Sequence, residues 1–309
     1  MSGGTSYLLA TLNSYGHTKY TFYSGIIQNV VNLTLSFAVV KIPTLSADEV
    51  VGGIALSAGA GSLAALGMAI AVFVRKGIGL HRPRCLTDAL MWTGRILRIG
   101  LPSAISSASF TISQIVTTAF VATLGDSALA AKVFYTNILS YVYLFSFNAG
   151  AANAILVGIR YGAGELHEAD RMNRALTRLT MIVNLTLSVG VILLHRPLVG
   201  IFTSSEQIIA LAVGVFAIDI ITEQGRAVSH IYEYALRSVG DVWATLAVTL
   251  ASCWIFSIGL AYLLSVRLGL GLAGCWIGLA ADEATRGIFT YLRWRRKGWH
   301  SLPAISENG

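Results

Sequence analysis

Long apolar runs separated by short polar segments dominate the chain. A transmembrane helix needs about 20 consecutive, mostly apolar residues at a rise of about 1.5 Å per residue. The runs are continuous, whereas strands of a membrane barrel alternate over about ten residues. The pattern therefore predicts an all-α polytopic membrane protein with about eight transmembrane helices in one bundle. The eight predicted spans are Tyr20–Val40, Val50–Val74, Leu97–Ala122, Val133–Ile159, Ala175–Leu194, Gln207–Leu236, Val242–Leu264 and Gly269–Leu292.

Composition and charge agree with a membrane protein. Of the 309 residues, 55% are hydrophobic and only 12% are charged. With these spans, sixteen Lys and Arg residues fall on one side of the membrane and four on the other. The positive-inside rule then predicts that both termini are cytoplasmic. Because the basic residues that give the net charge of +7 lie mainly at helix ends beside lipid headgroups, we expect the lipid bilayer as a partner and no nucleic acid.

The residue types associated with enzymes and metal sites are sparse. Cys85, Cys253 and Cys275 lack metal-ligand spacing, and the latter two lie within predicted spans. The chain has no nucleophile motif and no phosphate-binding loop. We therefore predict no enzymatic activity, no metal and no cofactor.

The sixth span carries five ionisable side chains in the segment "IDIITEQGRAVSHIYE", from Ile218 to Glu233. They are Asp219, Glu223, Arg226, His230 and Glu233. Spacings of four, three, four and three residues confine them to a sector of roughly 80° on a helix. We predict a polar stripe on one face of this helix.

A second charged group, Asp282, Glu283 and Arg286, lies in the eighth span. Each charge near the centre of a bilayer costs about 2.5 to 3.5 kcal/mol, so these groups require partners or water. Cross-helix ion pairs, such as Glu223 with Arg286, are expected if the two helices face each other. Arg226 and Arg286 are the predicted ion-pair partners of the acids.

The four acids outnumber the two arginines, and this excess predicts the chemistry of the site. Two carboxyl groups must be protonated, be hydrated or hold a cation. A proton- or sodium-coupled site needs such a group, because it can exchange its proton or ion for a cationic substrate. We predict coupling or substrate binding at Asp219, Glu223, Asp282 and Glu283; the alternative is that these residues only join the helices. Gln114, Asn137, Asn148 and His230 are predicted to line a cavity.

Several motifs resemble the multidrug and toxic compound extrusion (MATE) transporters, especially a bacterial branch. They are "RIGLPSAISSASF" from Arg98, "YGAGELHEADR" from Tyr161, "LRSVGD" from Leu236, "GLGLAGCWIGLAADEATRG" from Gly269 and "RWRRKGW" from Arg293. The resemblance covers nearly the whole chain. It implies two six-helix lobes, of which the chain holds two helices of the first, residues 1–96, and a complete second lobe, residues 97–299, followed by a cytoplasmic tail, residues 300–309. About four helices would be absent, and whether another chain supplies them is left open.

The resemblance implies cation-coupled antiport, with H⁺ or Na⁺ as the coupling ion, that exports small organic cations or drugs across the bacterial inner membrane by alternating access. Two alternatives remain open. One is a truncated, non-transporting fragment or a membrane partner subunit. The other is a flippase for lipid-linked substrates, although a flippase would favour a basic lumen for phosphates, and the excess of acids argues against it.

Overall fold

A computed structural model describes residues 2–14, 16–44, 46–77 and 86–301. Every regular element in these ranges is a helix. The helices are α1 (Ser2–Ser14), α2 (Thr18–Val40), α3 (Ala47–Arg75), α4 (Leu86–Ala122), α5 (Asp126–Gly162), α6 (Leu166–Leu193), α7 (His195–Gly200), α8 (Glu206–Ser238), α9 (Val242–Ser252) and α10 (Gly271–Arg295). Two π-helical segments, Cys253–Leu260 and Leu263–Arg267, continue α9, and a 3₁₀ turn, Gly298–Ser301, follows α10.

The prediction of an all-α polytopic membrane protein is confirmed. Each predicted span coincides with a helix, and in the described ranges seven helices are long and apolar enough to cross a membrane. The eighth predicted span corresponds to α10, which is 25 residues long and carries the charged group at Asp282, Glu283 and Arg286. The short helices α1 and α7 were not predicted.

The chain divides by its contacts into two units, Met1–Leu86 and Thr87–Gly309. In the first unit α2 packs along α3, and Gly61 lets the helices approach. A Cβ at Gly61 would lie 2.6 Å from the carbonyl oxygen of Gln28. The predicted tail beyond residue 301 and Cys85 lie outside the described residues.

Helix α8 forms the centre of the second unit. It packs against α10, α5 and α6. Most of its residues from Asp219 onward are buried, whereas a membrane helix at the edge of a bundle exposes one side to lipid. Tyr135, Phe216 and Trp276 belong to the apolar cluster beside its first half. The charged stripe of α8 therefore lies inside the unit.

Glycine brings α8 and α10 into backbone contact. A Cβ at Gly225 would lie 2.9 Å from the backbone nitrogen of Ala284 and 2.9 Å from the carbonyl carbon of Glu283. Small residues of this kind allow close helix packing where no hydrophobic force drives association. Gly225 thus sets the separation at which the charged groups of α8 and α10 meet.

Gly225→Val is expected to lower the free energy of unfolding by about 1–3 kcal/mol, because the new side chain collides with the α10 backbone. Thermal unfolding followed by tryptophan fluorescence in detergent micelles measures the effect. Gly214→Val on the same helix is the matched control, since a Cβ there would meet no atom within 4 Å. Equal losses of stability in both variants would show that the close approach at Gly225 is unimportant.

Candidate functional site

Arg226 of α8 joins carboxylates of two helices. Its guanidinium forms a short ion pair with Glu223, one turn away on α8. Its Nε lies 3.3 Å from Oε1 of Glu283 on α10. Both carboxyl groups are fully buried. Arg226 therefore neutralises part of the acid excess and ties α8 to α10.

Arg286 forms ion pairs with two neighbouring acids on its own helix. Its Nε and Nη2 lie 3.1 and 3.2 Å from the two carboxylate oxygens of Asp282. Its Nη2 also lies 2.7 Å from Oε1 of Glu283. Glu283 thus contacts both arginines, and Ser229 donates a hydrogen bond of 3.0 Å to its second oxygen.

The cross-helix pair differs from the expected one. The sequence predicted pairs such as Glu223 with Arg286, whereas Arg226 pairs with Glu283. The reason is local: Glu223 is three residues from Arg226, and Asp282 is four residues from Arg286, so each acid pairs within its own helix. Glu283 is left to bridge the helices.

Asp282 accepts hydrogen bonds from the end of α9 and from its π-helical continuation. Ser252 donates to its Oδ1 at 2.5 Å, and Ser257 donates to its Oδ2 at 2.8 Å. These serines are five residues apart, which would separate them by about 140° on an α-helix. The wider π turn, with i→i+5 spacing, brings both to one side. With Arg286 added, Asp282 has the partners of a structural carboxylate.

Asp219 has a different environment from the other three acids. It is 1% exposed and accepts one short hydrogen bond, from the hydroxyl of Tyr135 on α5. Its Oδ2 is buried without a hydrogen-bond partner. Among the described residues no cationic side chain forms an ion pair with it. Of the four carboxyl groups, Asp219 is therefore the one whose negative charge is not compensated by an ion pair.

The remaining oxygen of Glu223 meets an amide. Nδ2 of Asn184 on α6 lies 3.3 Å from Oε2 of Glu223 and 3.0 Å from the Glu223 carbonyl oxygen. The same amide nitrogen lies 2.6 Å from Oγ of Ser146 on α5. Asn184 thus joins α6 to α5 through Ser146 and to α8 through Glu223.

A cavity of about 380 Å³ lies beside these groups within the second unit. Its wall combines aromatic rings, hydroxyl groups and two basic side chains. The lining residues are Phe110, Gln114, Thr117, Thr118, Lys132, Tyr135, Thr136, Leu139, Ser140, Tyr143, Arg226, Ser257, Cys275, Trp276 and Leu279. Its volume falls in the range of small-molecule sites.

The residues predicted to line a cavity differ in whether they lie in the wall of the 380 Å³ cavity. Gln114 lines the 380 Å³ cavity. Asn137 and Asn148 are exposed and lie outside its lining, and Nδ2 of Asn148 bonds the Leu144 carbonyl oxygen of its own helix at 2.7 Å. Both residues lie at exposed positions of α5, and their role in lining a cavity stays a prediction.

His230 lines a second cavity, of about 260 Å³. The rings of Tyr143 and Phe147 surround it, with centroids at 5.7 and 6.2 Å, and its Nε2 has no hydrogen-bond partner. Phe110 and Tyr143 line both cavities. The guanidinium carbon of Arg286 lies 5.6 Å from the centroid of the Phe110 ring, and that of Arg226 lies 5.2 Å from the Tyr143 ring, both cation–π distances.

Sequence reasoning missed several residues of the site. Tyr135, Lys132 and Trp276 gave no signal, because tyrosine, tryptophan and a lysine near a helix end are ordinary in membrane helices. Asn184 gave no signal either, since a polar amide within a span is ordinarily a partner in a hydrogen bond between helices. Ser252 and Ser257 are five residues apart, a spacing that places two side chains on different faces of an α-helix. Their common role depends on a π turn that residue spacing does not reveal.

Cysteine and acidic side chains were compared with the arrangements that bind metal ions. Cys253 and Cys275 are buried free thiols. Across the described ranges, no group of three or more His, Cys, Asp or Glu side chains has the arrangement to hold a metal ion. The contacts of this site are ion pairs and hydrogen bonds.

Comparisons with known proteins agree with the fold. Residues 102–263, slightly more than half of the chain, match the MatE protein family. The uncharacterized transporter YisQ of Bacillus subtilis is 35% identical over 94% of this chain and 64% of its own length. The probable multidrug resistance protein NorM of Thermotoga maritima is 26% identical over 69% of this chain and 47% of its own length.

A solved structure shows the same fold. An outward-facing multidrug resistance MATE family transporter of the MOP superfamily superposes with a TM-score of 0.81 at 18% identity, over 94% of this chain and 64% of that chain. The chain thus spans about half to two thirds of the length of these relatives. This chain belongs to the MatE family, the multidrug and toxic compound extrusion transporters.

Proposed function

We propose that this protein exports small organic cations or drugs across the membrane by antiport, coupled to H⁺ or Na⁺ at Asp219. One observation carries the proposal. Asp219 is a buried carboxyl group with an unpartnered oxygen and no ion-pair partner among the described residues, and its one hydrogen-bond donor, Tyr135, lines the 380 Å³ cavity.

Energetics explain why such a carboxyl group suits coupling. An unpaired charge near the bilayer centre costs about 2.5 to 3.5 kcal/mol even by lenient measures. Binding of a proton or a cation removes most of that cost, and arrival of a cationic substrate also compensates the charge. The proton or ion and the substrate therefore compete for one carboxylate, which is the requirement for exchange.

The other acids have supporting roles in this proposal. Glu223, Asp282 and Glu283 share Arg226 and Arg286, so their charges are already compensated in part. We propose that Glu223 is the second coupling group, since it lies one turn from Asp219 on α8. Asp282 and Glu283 anchor α10 to α9 and α8.

The relatives are named as a transporter and a multidrug resistance protein. These names support efflux and not an enzymatic role. The excess of Lys and Arg on one side supports an orientation with both termini in the cytoplasm. The bacterial relatives support the inner membrane as the location.

The test is efflux of ethidium from proteoliposomes that contain only this purified chain, with a proton gradient and a sodium gradient imposed separately. We expect gradient-dependent efflux, and Asp219→Asn is expected to reduce it to the level of protein-free liposomes. The substitution removes the exchangeable charge and keeps the shape of the side chain.

Asp126→Asn is the matched control, because Asp126 is exposed in the first turn of α5 and should not affect efflux. Size-exclusion chromatography establishes that each variant is folded. Undiminished efflux by Asp219→Asn, or no gradient-dependent efflux by the folded wild-type chain, would refute the proposal.

A further inference from the structure

A groove of about 450 Å³ lies on the outside of the second unit, where α6, α8 and α10 meet. Gly225 and Gly287 belong to its lining, and a Cβ at Gly287 would lie 3.1 Å from the Gly225 carbonyl oxygen. Thr177 of α6 and Ile288 of α10 also line it. Ile221 and Ile288 are 60% and 57% exposed, so the groove opens toward the lipid that surrounds the helices.

The length of the groove matches one leaflet of a bilayer. Along α8 its lining extends from Ile221 to Tyr232, eleven residues, which is about 16 Å at the α-helical rise. One leaflet contributes half of a hydrocarbon core that is about 30 Å thick. Tyr232 and Tyr291 lie at one end with their ring centroids 5.3 Å apart, and tyrosine is enriched where hydrocarbon meets headgroups. The groove therefore has the depth of one acyl chain.

The tyrosine end of the groove carries a basic residue of α10. Nη1 of Arg295 donates a hydrogen bond of 3.4 Å to the Tyr291 hydroxyl, and the guanidinium carbon lies 5.8 Å from the centroid of the Tyr291 ring. Arg295 is exposed, and it forms no ion pair with an acidic side chain of the described residues. Its positive charge thus lies uncompensated at the mouth of the groove.

Two arginines of α6 lie on the same side. At 100° per residue, Arg174 and Arg178 fall within about 100° of Thr177, which lines the groove. Asp170 joins this part of α6 to the end of α10, because it accepts a hydrogen bond of 2.9 Å from Nε1 of Trp294 and lies 3.2 Å from Nη2 of Arg174. Arg178 is exposed and has no ion-pair partner in the described ranges. Three arginines therefore accompany one acid here.

An anionic phospholipid matches both parts of this surface. Arginine donates charge-assisted hydrogen bonds to phosphate in a planar, bidentate geometry. An acyl chain covers apolar side chains, and basic pockets between membrane helices bind anionic headgroups. We propose that the groove binds one anionic phospholipid, with its headgroup phosphate at Arg178 and Arg295 and one acyl chain along α8. The lipid joins α6 to α10, and this role is independent of the proposed transport function.

Native mass spectrometry of the full chain released from detergent micelles tests the proposal. The chain is titrated separately with dioleoyl phosphatidylglycerol and dioleoyl phosphatidylcholine, which have the same acyl chains and differ in headgroup charge. We expect the first phosphatidylglycerol to bind about tenfold more tightly than phosphatidylcholine, because each arginine near the headgroups adds to the attraction of an anionic lipid. Equal affinities would overturn the proposal.

Arg178→Met combined with Arg295→Met is expected to remove this preference. Both arginines are exposed and unpaired among the described residues, so the fold should be unaffected. Arg98→Met combined with Arg296→Met is the matched control, since it removes two exposed arginines, and Arg296 lines a different cavity beside α9. A preference that persists in the first double variant, or that is lost equally in the control, would refute the site.

The groove itself is tested by Ile221→Trp, which places an indole at the deep end. We expect both lipids to bind about tenfold more weakly, the effect of uncovering about two methylene groups. Ile159→Trp, at a position of α5 that is 54% exposed, is the control. Unchanged binding by Ile221→Trp would exclude the groove as the acyl-chain site. Displacement of phosphatidylglycerol by an equal concentration of glycerol 3-phosphate would show that free phosphate suffices and would overturn the assignment to a lipid.

Discussion

Arg226→Met is expected to lower the free energy of unfolding by about 3–5 kcal/mol, the usual cost of removing one member of a buried ion pair. The substitution leaves Glu223 without its cation and removes the link from α8 to Glu283. It also removes the guanidinium that stacks on Tyr143. Unfolding by sodium dodecyl sulfate in mixed micelles, followed by tryptophan fluorescence, gives the free energy.

Arg160→Met provides the comparison. Arg160 pairs with Glu165 at 2.5 Å, but the two side chains are 43% and 48% exposed. Exposed ion pairs contribute about 0–1 kcal/mol, so this variant should be nearly as stable as the wild type. Similar losses in both arginine variants would contradict the structural role assigned to Arg226.

Asp282→Ala is the second prediction with a large effect, also about 3–5 kcal/mol. Asp282 is fully buried and accepts from Ser252, Ser257 and Arg286. Removing it leaves Arg286 with Glu283 as its carboxylate partner and leaves the Ser257 hydroxyl without its acceptor, so α10 loses side-chain hydrogen bonds to α9 and to the π-helical segment. The same denaturation measurement applies.

Asp126→Ala is the control for this variant, because Asp126 is exposed and a surface substitution usually changes stability by less than about 0.5 kcal/mol. Restoration of stability by Asp282→Asn would distinguish hydrogen bonding from charge. If Asp282→Ala proves as stable as Asp126→Ala, the carboxylate does not anchor α10.

The helices could be predicted from the sequence because continuous apolar runs of membrane length leave few alternatives to a helix. The stripe on α8 was also predictable, since spacings of three and four residues place side chains on one face. Both inferences use the residue pattern within a single helix and require no knowledge of the helices that pack against it. Asp219, Glu223, Arg226 and His230 all follow the predicted periodicity.

What the sequence could not provide is the contact between helices. Tyr135 binds Asp219 across 84 positions of the chain, and nothing in the spacing of either residue relates one to the other. Arg226 meets Glu283 only because Gly225 permits backbone contact at that point. Asn137 and Asn148 are exposed in the second unit, and their polarity alone does not predict which face of a span they occupy.

The backbone contact at Gly225 has a consequence for motion. With no side chain between α8 and α10 at that point, a shift of either helix along the other would bring atoms into collision, so we expect the two helices to move together. The charged residues on both helices would then keep their mutual distances if the second unit changes shape. Any change in the shape of the 380 Å³ cavity would arise in the other helices that line it, while α8 and α10 carry the carboxyl groups as a fixed reference.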